Sequence, residues 1–361
     1  MFLNQLKINN FRNHKHFDLK VEGQRTIILG SNGIGKSNLL ESIEFLSQLK
    51  SSRAISDKDL INNDSEFATI KAQINYKDDL KMNLYRKGGK KIYLNDCFMK
   101  KQSDMRNYLR SVCFSSNDTN IIKGEPNYRR IWLDKVVTQL EPGYFELLSR
   151  FNKLLKQRSH FWRSDISNND KSNSLIDSFD SQIALIGSRI LRRRIRALEK
   201  LKPYIQHWHN YLSKSKENIN LNYDSSIDII NSDNEVEIIN QLKQELFNQR
   251  RVEELTGRCS VGPHRDDIEF LINDISIRKF GSAGQQRTIT LALKMAELEF
   301  VRNTICMDPI LILDDVLAEL DMVRQSLLLD SVGRKTQCFI SATHLNKFNK
   351  NFLDSSQIIY L

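Results

Sequence analysis

The chain has 361 residues, of which 40% are hydrophobic and 27% charged, and its formal net charge is +10. This balance predicts a folded globular protein, and no apolar run is long enough to cross a bilayer. The N-terminal segment lacks the apolar stretch of a secretory signal, so we expect a cytoplasmic protein without a membrane partner. The positive charge favours a polyanionic partner such as nucleic acid, and the alternative is a basic protein with no such partner.

The N-terminal part of the chain has the pattern of a β-rich region built around one helix. Residues 2–29 predict strands with a turn at 12–14, and helical spacing begins after Ser37. Residues 67–94 predict a strand meander with a hairpin at the pair Gly88-Gly89.

Helical spacing dominates the middle of the chain, with a polar loop at 164–174, a short strand INLNYD and a last helix over 235–255. Strand patterns return in IEFLIND, PILILDD and CFISATH. We therefore expect an α/β head formed by residues 1–125 and 257–361, with residues 126–256 inserted as a helical arm. The arm lacks long heptad runs, so an extended coiled coil is not expected.

The segment GSNGIGKS fits the pattern G-x-x-x-x-G-K-[ST] of a phosphate-binding loop, after an apolar strand and before a helix. Its glycines allow backbone N–H groups to surround phosphate oxygens, and the helix N-terminus adds positive potential. Lys36 is predicted to reach the β and γ phosphates of ATP, and Ser37 to ligate Mg²⁺. The predicted nucleotide contacts here are Gly30, Ser31, Asn32, Gly33, Ile34, Gly35, Lys36, Ser37 and Asn38.

The segment ILILDD, at 310–315, is an apolar strand that ends in two carboxylates. After a phosphate-binding loop, this pattern is typical of a Walker B strand, which predicts Asp314 in the Mg²⁺ shell and Asp315 as the base that orients water. Aspartate is shorter than the glutamate common at that position in related ATPases, so we expect slow hydrolysis. His344 ends the next strand, where it could sense the γ-phosphate or simply pack at the surface. Asp321 is expected to cap a helix.

The segment FGSAGQQRT begins another helix, and Ser282 can cap it. A plain helix cap does not account for Gly284, because glycine in a helix is less favourable than alanine by up to about 1 kcal/mol. A glycine there is useful if a phosphate must approach the backbone.

Taken in order, these motifs resemble the ABC-type ATPase head, in which Ser282, Gly284 and Gln285 match the signature motif, Asp321 the D-loop and His344 the switch histidine. The segments INNFRNHKHF, FSSNDTNIIKGEPNYRRIWLD, VGPHRDDIEFLIND and PILILDDVLAELD extend the resemblance to the RecF family of bacterial recombination mediators. Ala283 replaces the usual signature glutamine, and FSSNDTN lacks a clear Q-loop glutamine.

The resemblance implies an ATP-driven homodimer in which ATP lies between the P-loop of one chain and the signature of the other. It implies a weak DNA-dependent ATPase that binds single-strand/double-strand junctions and helps to load recombinase with RecR and RecO. Arg12 matches a nucleotide-contacting position, and a plain surface arginine is the alternative. The rival functions are an ABC transporter ATPase subunit, which does not require the basic arm, and an SMC-like structural ATPase, which the absent coiled coil disfavours.

Two basic segments are candidate DNA surfaces. The first is a helix with Arg189, Arg192, Arg193, Arg194 and Arg196, and the second is a hairpin with Lys87, Lys90 and Lys91. A solvated helix face is the alternative for the first. Neither segment shows interleaved aromatic residues, which favours backbone contact with duplex DNA over base stacking. The GPHRDD segment could suggest a metal site, but we expect structural ion pairs there, because neighbouring residues of an extended chain cannot all face one ion.

Overall fold

A computed structural model describes residues 1–163, 172–213, 217–229, 234–318, 320–331 and 336–361. Most of the polar loop predicted at 164–174 lies outside the described residues. The strands are β1 (Leu3–Phe11), β2 (His14–Lys20), β3 (Arg25–Leu29), β4 (Phe67–Ile74), β5 (Asp78–Tyr85), β6 (Gly89–Leu94), β7 (Cys97–Phe98), β8 (Ser111–Ser115), β9 (Ile219–Asp224), β10 (Asp267–Ile272), β11 (Ile275–Ser276), β12 (Ile310–Asp314), β13 (Cys338–Ala342) and β14 (Gln357–Tyr360).

The helices confirm the predicted helical segments. The last helix of the middle region is divided in two, and the second part ends at Gly257, whose positive φ of 63° suits a glycine. The helices are α1 (Lys36–Gln48), α2 (Asn120–Lys123), α3 (Pro126–Leu140), α4 (Tyr144–Trp162), α5 (Ser172–Ser213), α6 (Glu235–Asn248), α7 (Arg250–Thr256), α8 (Ile277–Phe280), α9 (Ala283–Ile305), α10 (Met322–Ser331) and α11 (Lys350–Asp354).

The chain divides into two compact units, and the first comprises Met1–Thr119, Tyr211–Lys214 and Arg287–Leu361. It contains an antiparallel sheet of order β2-β1-β4-β5-β6-β7 and a parallel sheet of order β14-β3-β13-β12-β8. Strands of the antiparallel sheet alternate buried apolar residues with more accessible polar ones, as Leu6 and Ile8 do beside the half-buried Lys7. Strands β12 and β13 of the parallel sheet are buried along their length, apart from the half-buried Asp314 at the end of β12.

The second unit comprises Asn120–Asn210 and Ser215–Gln286, so it includes residues that the sequence prediction assigned to the head. These residues belong to the second unit because β10 pairs along its length with β9 of the predicted arm. Arg129 of α3 adds a two-pronged ion pair to Asp267 at the start of β10, at 2.6 and 2.9 Å. Among the described helices of the chain, none is long and apolar enough to cross a membrane.

Candidate nucleotide-binding site

The phosphate-binding loop joins β3 to α1, as the sequence predicts. Gly33 and Gly35 have φ values of 83° and 119°, which side chains rarely allow. The ammonium group of Lys36 lies over the loop and donates to the carbonyl oxygens of Gly30 and Ser31, at 2.9 and 3.0 Å. The backbone therefore curls before the N-terminus of α1, and the Lys36 side chain lies across it. This arrangement is typical of a phosphate-binding site.

The turn between β1 and β2 supports this loop from behind. Asn13 donates its side-chain amide to the carbonyl of Ile34 at 2.9 Å, and Nε2 of His14 donates to the carbonyl of Gly35 at 3.0 Å. A Cβ built on Gly35 would lie 2.6 Å from the His14 ring and 2.7 Å from the Asn13 amide. Sequence reasoning missed both side chains, because nothing in the spacing shows that this turn reaches a loop some twenty residues later.

The hydroxyl of Ser37 meets the carboxylate of Asp314 at the end of β12, with Oγ donating to Oδ1 at 2.8 Å. Ser341 of the neighbouring β13 donates to the same oxygen at 2.9 Å and accepts the backbone N–H of Asp315 at 2.8 Å. Burial raises the pKa of Asp314, although both hydroxyl hydrogen bonds act in the opposite direction. Ser341 was missed, and the available signal was a single polar residue in an otherwise apolar strand.

Asp315, His344 and Asp321 follow the neighbouring parallel strands β12 and β13 along the chain. Asp315 follows β12 with a φ of 55°, and His344 is exposed two residues beyond β13, the parallel neighbour of β12. Asp321 caps α10 by accepting the N–H of Arg324 at 2.9 Å, and it forms an ion pair with the same residue. That backbone hydrogen bond, with the adjacent arginine, lowers the pKa of Asp321. The predicted cap is confirmed.

Arg12 lies beside the loop but is held by partners of its own chain. Its guanidinium donates to both oxygens of Glu41 in α1, at 3.0 and 2.9 Å, and to the carbonyl of Asp59 at 3.0 Å. The Glu41 side chain is only 1% exposed, so this arginine neutralises a buried carboxylate. Arg12 therefore stabilises α1 from outside the helix by pairing with Glu41. Its predicted nucleotide contact stays a prediction.

The signature segment starts α9 with a reciprocal cap. Ser282 Oγ accepts the N–H of Gln285 at 3.2 Å, and the Gln285 side chain accepts the N–H of Ser282 at 3.0 Å. Gly284 is exposed, and a Cβ built on it would meet nothing closer than the Ser282 oxygen at 3.8 Å. The fold itself thus has room for a larger residue at Gly284.

Comparison with known proteins agrees with these motifs. A family model, the RecF/RecN/SMC N terminal domain, matches residues 2–359. The DNA replication and repair protein RecF of Synechococcus sp. (strain CC9605) is 44% identical over 352 residues, which cover 98% of this chain and 97% of the relative. The chain belongs to the RecF family.

Solved structures support the same assignment at the level of the fold. The recombination mediator protein RecF-ATP of the RecFOR pathway is 31% identical, with a TM-score of 0.89 over 96% of this chain and 93% of that one. An Smc head bound to the C-terminal winged-helix domain of ScpA, at 15% identity, has a TM-score of 0.53 over 100% and 94% of the two chains, which shows a shared fold alone. The predicted ABC-type ATPase head with an inserted helical arm is confirmed. The family is one of DNA replication and repair, which argues against the transporter alternative.

Two predicted DNA contacts of this RecF-family chain face inward and are corrected. Arg194 is 4% exposed and donates to both oxygens of Asp134, at 2.8 and 2.9 Å, because it follows Ile190 by four residues on the buried side of α5. The side chain of Lys90 is 12% exposed, pairs with Asp57 at 3.0 Å and also donates to the carbonyl of Leu49. Burial lowers the pKa of Lys90.

The other candidates stay at the surface, and their DNA contact stays a prediction. Arg189 and Arg192 both pair with Glu235, at 3.1 and 2.5 Å, and Arg193 pairs with Glu141 at 2.7 Å. Such surface pairs are weak and can exchange for phosphates. The exposed residues Arg196, Lys87 and Lys91 complete the set.

In the GPHRDD segment Asp267 forms the predicted kind of ion pair, with Arg129, whereas His264, Arg265 and Asp266 make hydrogen bonds. The side chains of His264 and Arg265 both donate to the carbonyl of Cys259, while Asp266 accepts the hydroxyl of Tyr223 at 2.7 Å. Burial lowers the pKa of His264 to about 4. Within the described parts of the chain, no group of three or more His, Cys, Asp or Glu side chains could hold a metal.

Proposed function

We propose that this RecF-family chain binds ATP and Mg²⁺ and uses them to form a homodimer on DNA. The observation that carries the proposal is the meeting of Lys36, Ser37 and Asp314 around one curled loop. The RecF-ATP structure is a similar protein with ATP, which supports the same ligand here.

The residues present fit a magnesium ion. Mg²⁺ prefers hard oxygen ligands and is held through one or two protein groups together with phosphates and water. Ser37 and Asp314 offer one hydroxyl and one carboxylate whose oxygens lie 2.8 Å apart. Bound there, Mg²⁺ would neutralise charge on the phosphates, and Lys36 would exchange its loop carbonyls for phosphate oxygens.

The hydrolytic groups are Asp315 and His344. In our proposal Asp315 orients water for attack on the γ-phosphate, and its backbone is held in place by the Ser341 hydroxyl. His344, exposed beyond the neighbouring strand, contacts the γ-phosphate and senses its presence. Because aspartate reaches less far than glutamate, we expect slow turnover that acts as a timed switch.

The signature completes the site in a second copy of the chain. Gly284 is exposed and its fold leaves room for a side chain, so the glycine serves an approaching group. We propose that this group is the γ-phosphate bound by the P-loop of the partner, with Ser282, Gln285 and Asp321 at the same interface. ATP binding and dimerisation are then linked.

We propose that the dimer binds DNA at single-strand/double-strand junctions and acts in the cytoplasm with RecR and RecO to load recombinase. The surface arginines of α5, exposed at Arg189 and half-buried at Arg193, and the net charge of +10 support a surface that contacts DNA phosphates. The RecFOR pathway in which the similar RecF acts supports those partners.

The test is the mass of the particle in solution, measured by sedimentation velocity with and without ATP, Mg²⁺ and DNA. Wild type should dimerise with ATP, Lys36→Met should stay monomeric, and Asp315→Asn should hold the dimer for longer. A wild type that stays monomeric with saturating ATP would refute the proposal.

A further inference from the structure

The solvated face of the antiparallel sheet carries an ordered row of side chains across its strands. The register places Lys7 of β1 opposite Lys71 of β4, Lys71 opposite Lys81 of β5, Lys81 opposite Tyr93 of β6, and Tyr93 opposite Phe98 of β7. At about 4.8 Å between strands, the row is about 19 Å long. All of it lies within the first unit.

The neighbouring lysines of this row repel one another. Like charges directly opposite on neighbouring strands are destabilising, and here three lysines follow one another on β1, β4 and β5. Lys7 is balanced by Asp18 at 3.1 Å. Among the described residues, neither Lys71 nor Lys81 has a carboxylate partner. A polyanionic ligand would relieve this repulsion.

Aromatic side chains share the face with the lysines. Tyr93 and Phe98 contact edge to face with ring centroids 5.8 Å apart, and Phe98 is 58% exposed. The Lys81 ammonium lies 5.7 Å from the Tyr93 ring, and the Lys91 ammonium lies 5.7 Å from the ring of Tyr85. Phe67, which is 49% exposed, stands opposite Tyr85 on β4.

We propose that this face, defined by Lys71, Lys81, Lys91, Tyr85, Tyr93 and Phe98, binds single-stranded nucleic acid. The lysines contact the phosphates, and the exposed Phe98 ring and the half-buried Tyr85 and Tyr93 rings stack on unpaired bases. A duplex keeps its base faces inside the helix, so only an unpaired strand can use both kinds of side chain. The sequence analysis missed this face although Tyr85 and Tyr93 flank the lysines of the hairpin, because only the strand register shows which side chains share a face.

The assignment extends the proposed DNA function to a second surface and is independent of the nucleotide site. It is tested on the full chain without nucleotide, by fluorescence anisotropy with a labelled thymidine oligonucleotide of about 15 residues and with a duplex of equal length. Tyr93→Leu and Phe98→Leu should each weaken single-strand binding by roughly fivefold or more and leave duplex binding within about twofold. Lys71→Ala and Lys81→Ala should each lower the single-strand salt slope by about 0.7.

Matched controls lie in the exposed turn between β4 and β5. Tyr76→Leu and Lys77→Ala make the same chemical changes off the row, and they should leave single-strand affinity unchanged. The assay contains no nucleotide, which separates this surface from the ATP site. Thermal unfolding of each variant checks that the sheet is intact.

A direct map comes from photocrosslinking with iododeoxyuridine in the oligonucleotide, followed by mass spectrometry. Crosslinks should fall on Tyr85, Tyr93 or Phe98. The proposal is overturned if the crosslinks lie only outside residues 67–98, or if the two leucine variants bind the single strand as wild type does. It is also overturned if Lys71→Ala and Lys81→Ala weaken binding to the single strand and to the duplex equally.

Discussion

Gly284→Ala adds one methyl group, and it tests whether the fold or the nucleotide site requires a glycine at this position. The added Cβ would lie 3.8 Å from the Ser282 oxygen, an ordinary contact. Gly284 is the second residue of α9, and alanine favours a helix over glycine by up to about 1 kcal/mol. We therefore expect an unchanged or higher free energy of unfolding, and a midpoint that rises by at most about 4 °C.

The same methyl group should impair dimerisation, since it would stand between the backbone of Gly284 and the phosphate of the partner's nucleotide. Overpacking of a close contact costs roughly 1–3 kcal/mol, which corresponds to an ATP-dependent dimer about 5- to 150-fold weaker. Calorimetry measures the first effect, and sedimentation velocity with ATP and Mg²⁺ measures the second.

Gly143→Ala is the matched control, because Gly143 lies at the start of α4 in the same unit and a Cβ there would meet nothing within 4 Å. It should keep both stability and dimerisation. If Gly284→Ala dimerised as well as wild type, the signature would not close on a phosphate. If it lost several degrees of thermal stability, the glycine would be structural and the reasoning from its open surroundings would be refuted.

Three further changes test other parts of the account. The pKa of His264 is lowered to about 4, so as pH falls the unfolded chain protonates this histidine before the folded chain does. The free energy of unfolding should therefore be constant above about pH 6.5 with respect to this group, and fall by up to roughly 3 kcal/mol as pH drops toward 4. Urea unfolding at several pH values should show a smaller loss in His264→Gln, and equal losses would contradict the assignment. Arg194→Met should lower the free energy of unfolding in urea by about 3–5 kcal/mol, because it leaves Asp134 without its ion pair. Arg196→Met should change that free energy by no more than about 0.5 kcal/mol, and it should lower the salt slope of duplex binding by about 1. Gly35→Ala, at a φ of 119°, should lose about 1–3 kcal/mol and most ATP affinity by titration calorimetry, and retained affinity would show that the loop tolerates a side chain.

Local patterns predicted the helices and strands around the phosphate-binding loop well. A phosphate-binding loop needs a strand before it and a helix after it, and both are read from apolar spacing. The sequence predicted that Asp314 and His344 follow successive strands, and the structure pairs these strands in parallel. The cap formed by Asp321 follows from residue type alone.

What the patterns missed depends on long-range pairing. Asn13, His14 and Ser341 reach the loop or Asp314 through sheet geometry that spacing does not reveal. The errors at Arg194 and Lys90 had a usable signal, since helical and strand periodicity place each of them among buried neighbours. The positive charge favoured the surface, and a carboxylate or carbonyl partner outweighed that preference.

The central claim is that each ATP is shared between two copies of the chain, and mixing two variants tests it most directly. Lys36→Met lacks a working P-loop and Ser282→Arg lacks a working signature, so neither should dimerise alone with ATP and Mg²⁺. A mixed dimer would contain one site in which the P-loop of the second variant faces the signature of the first, with both intact. We predict that sedimentation velocity detects an ATP-dependent dimer only in the mixture. A mixture that stays monomeric, or a Ser282→Arg protein that dimerises alone, would contradict the shared site.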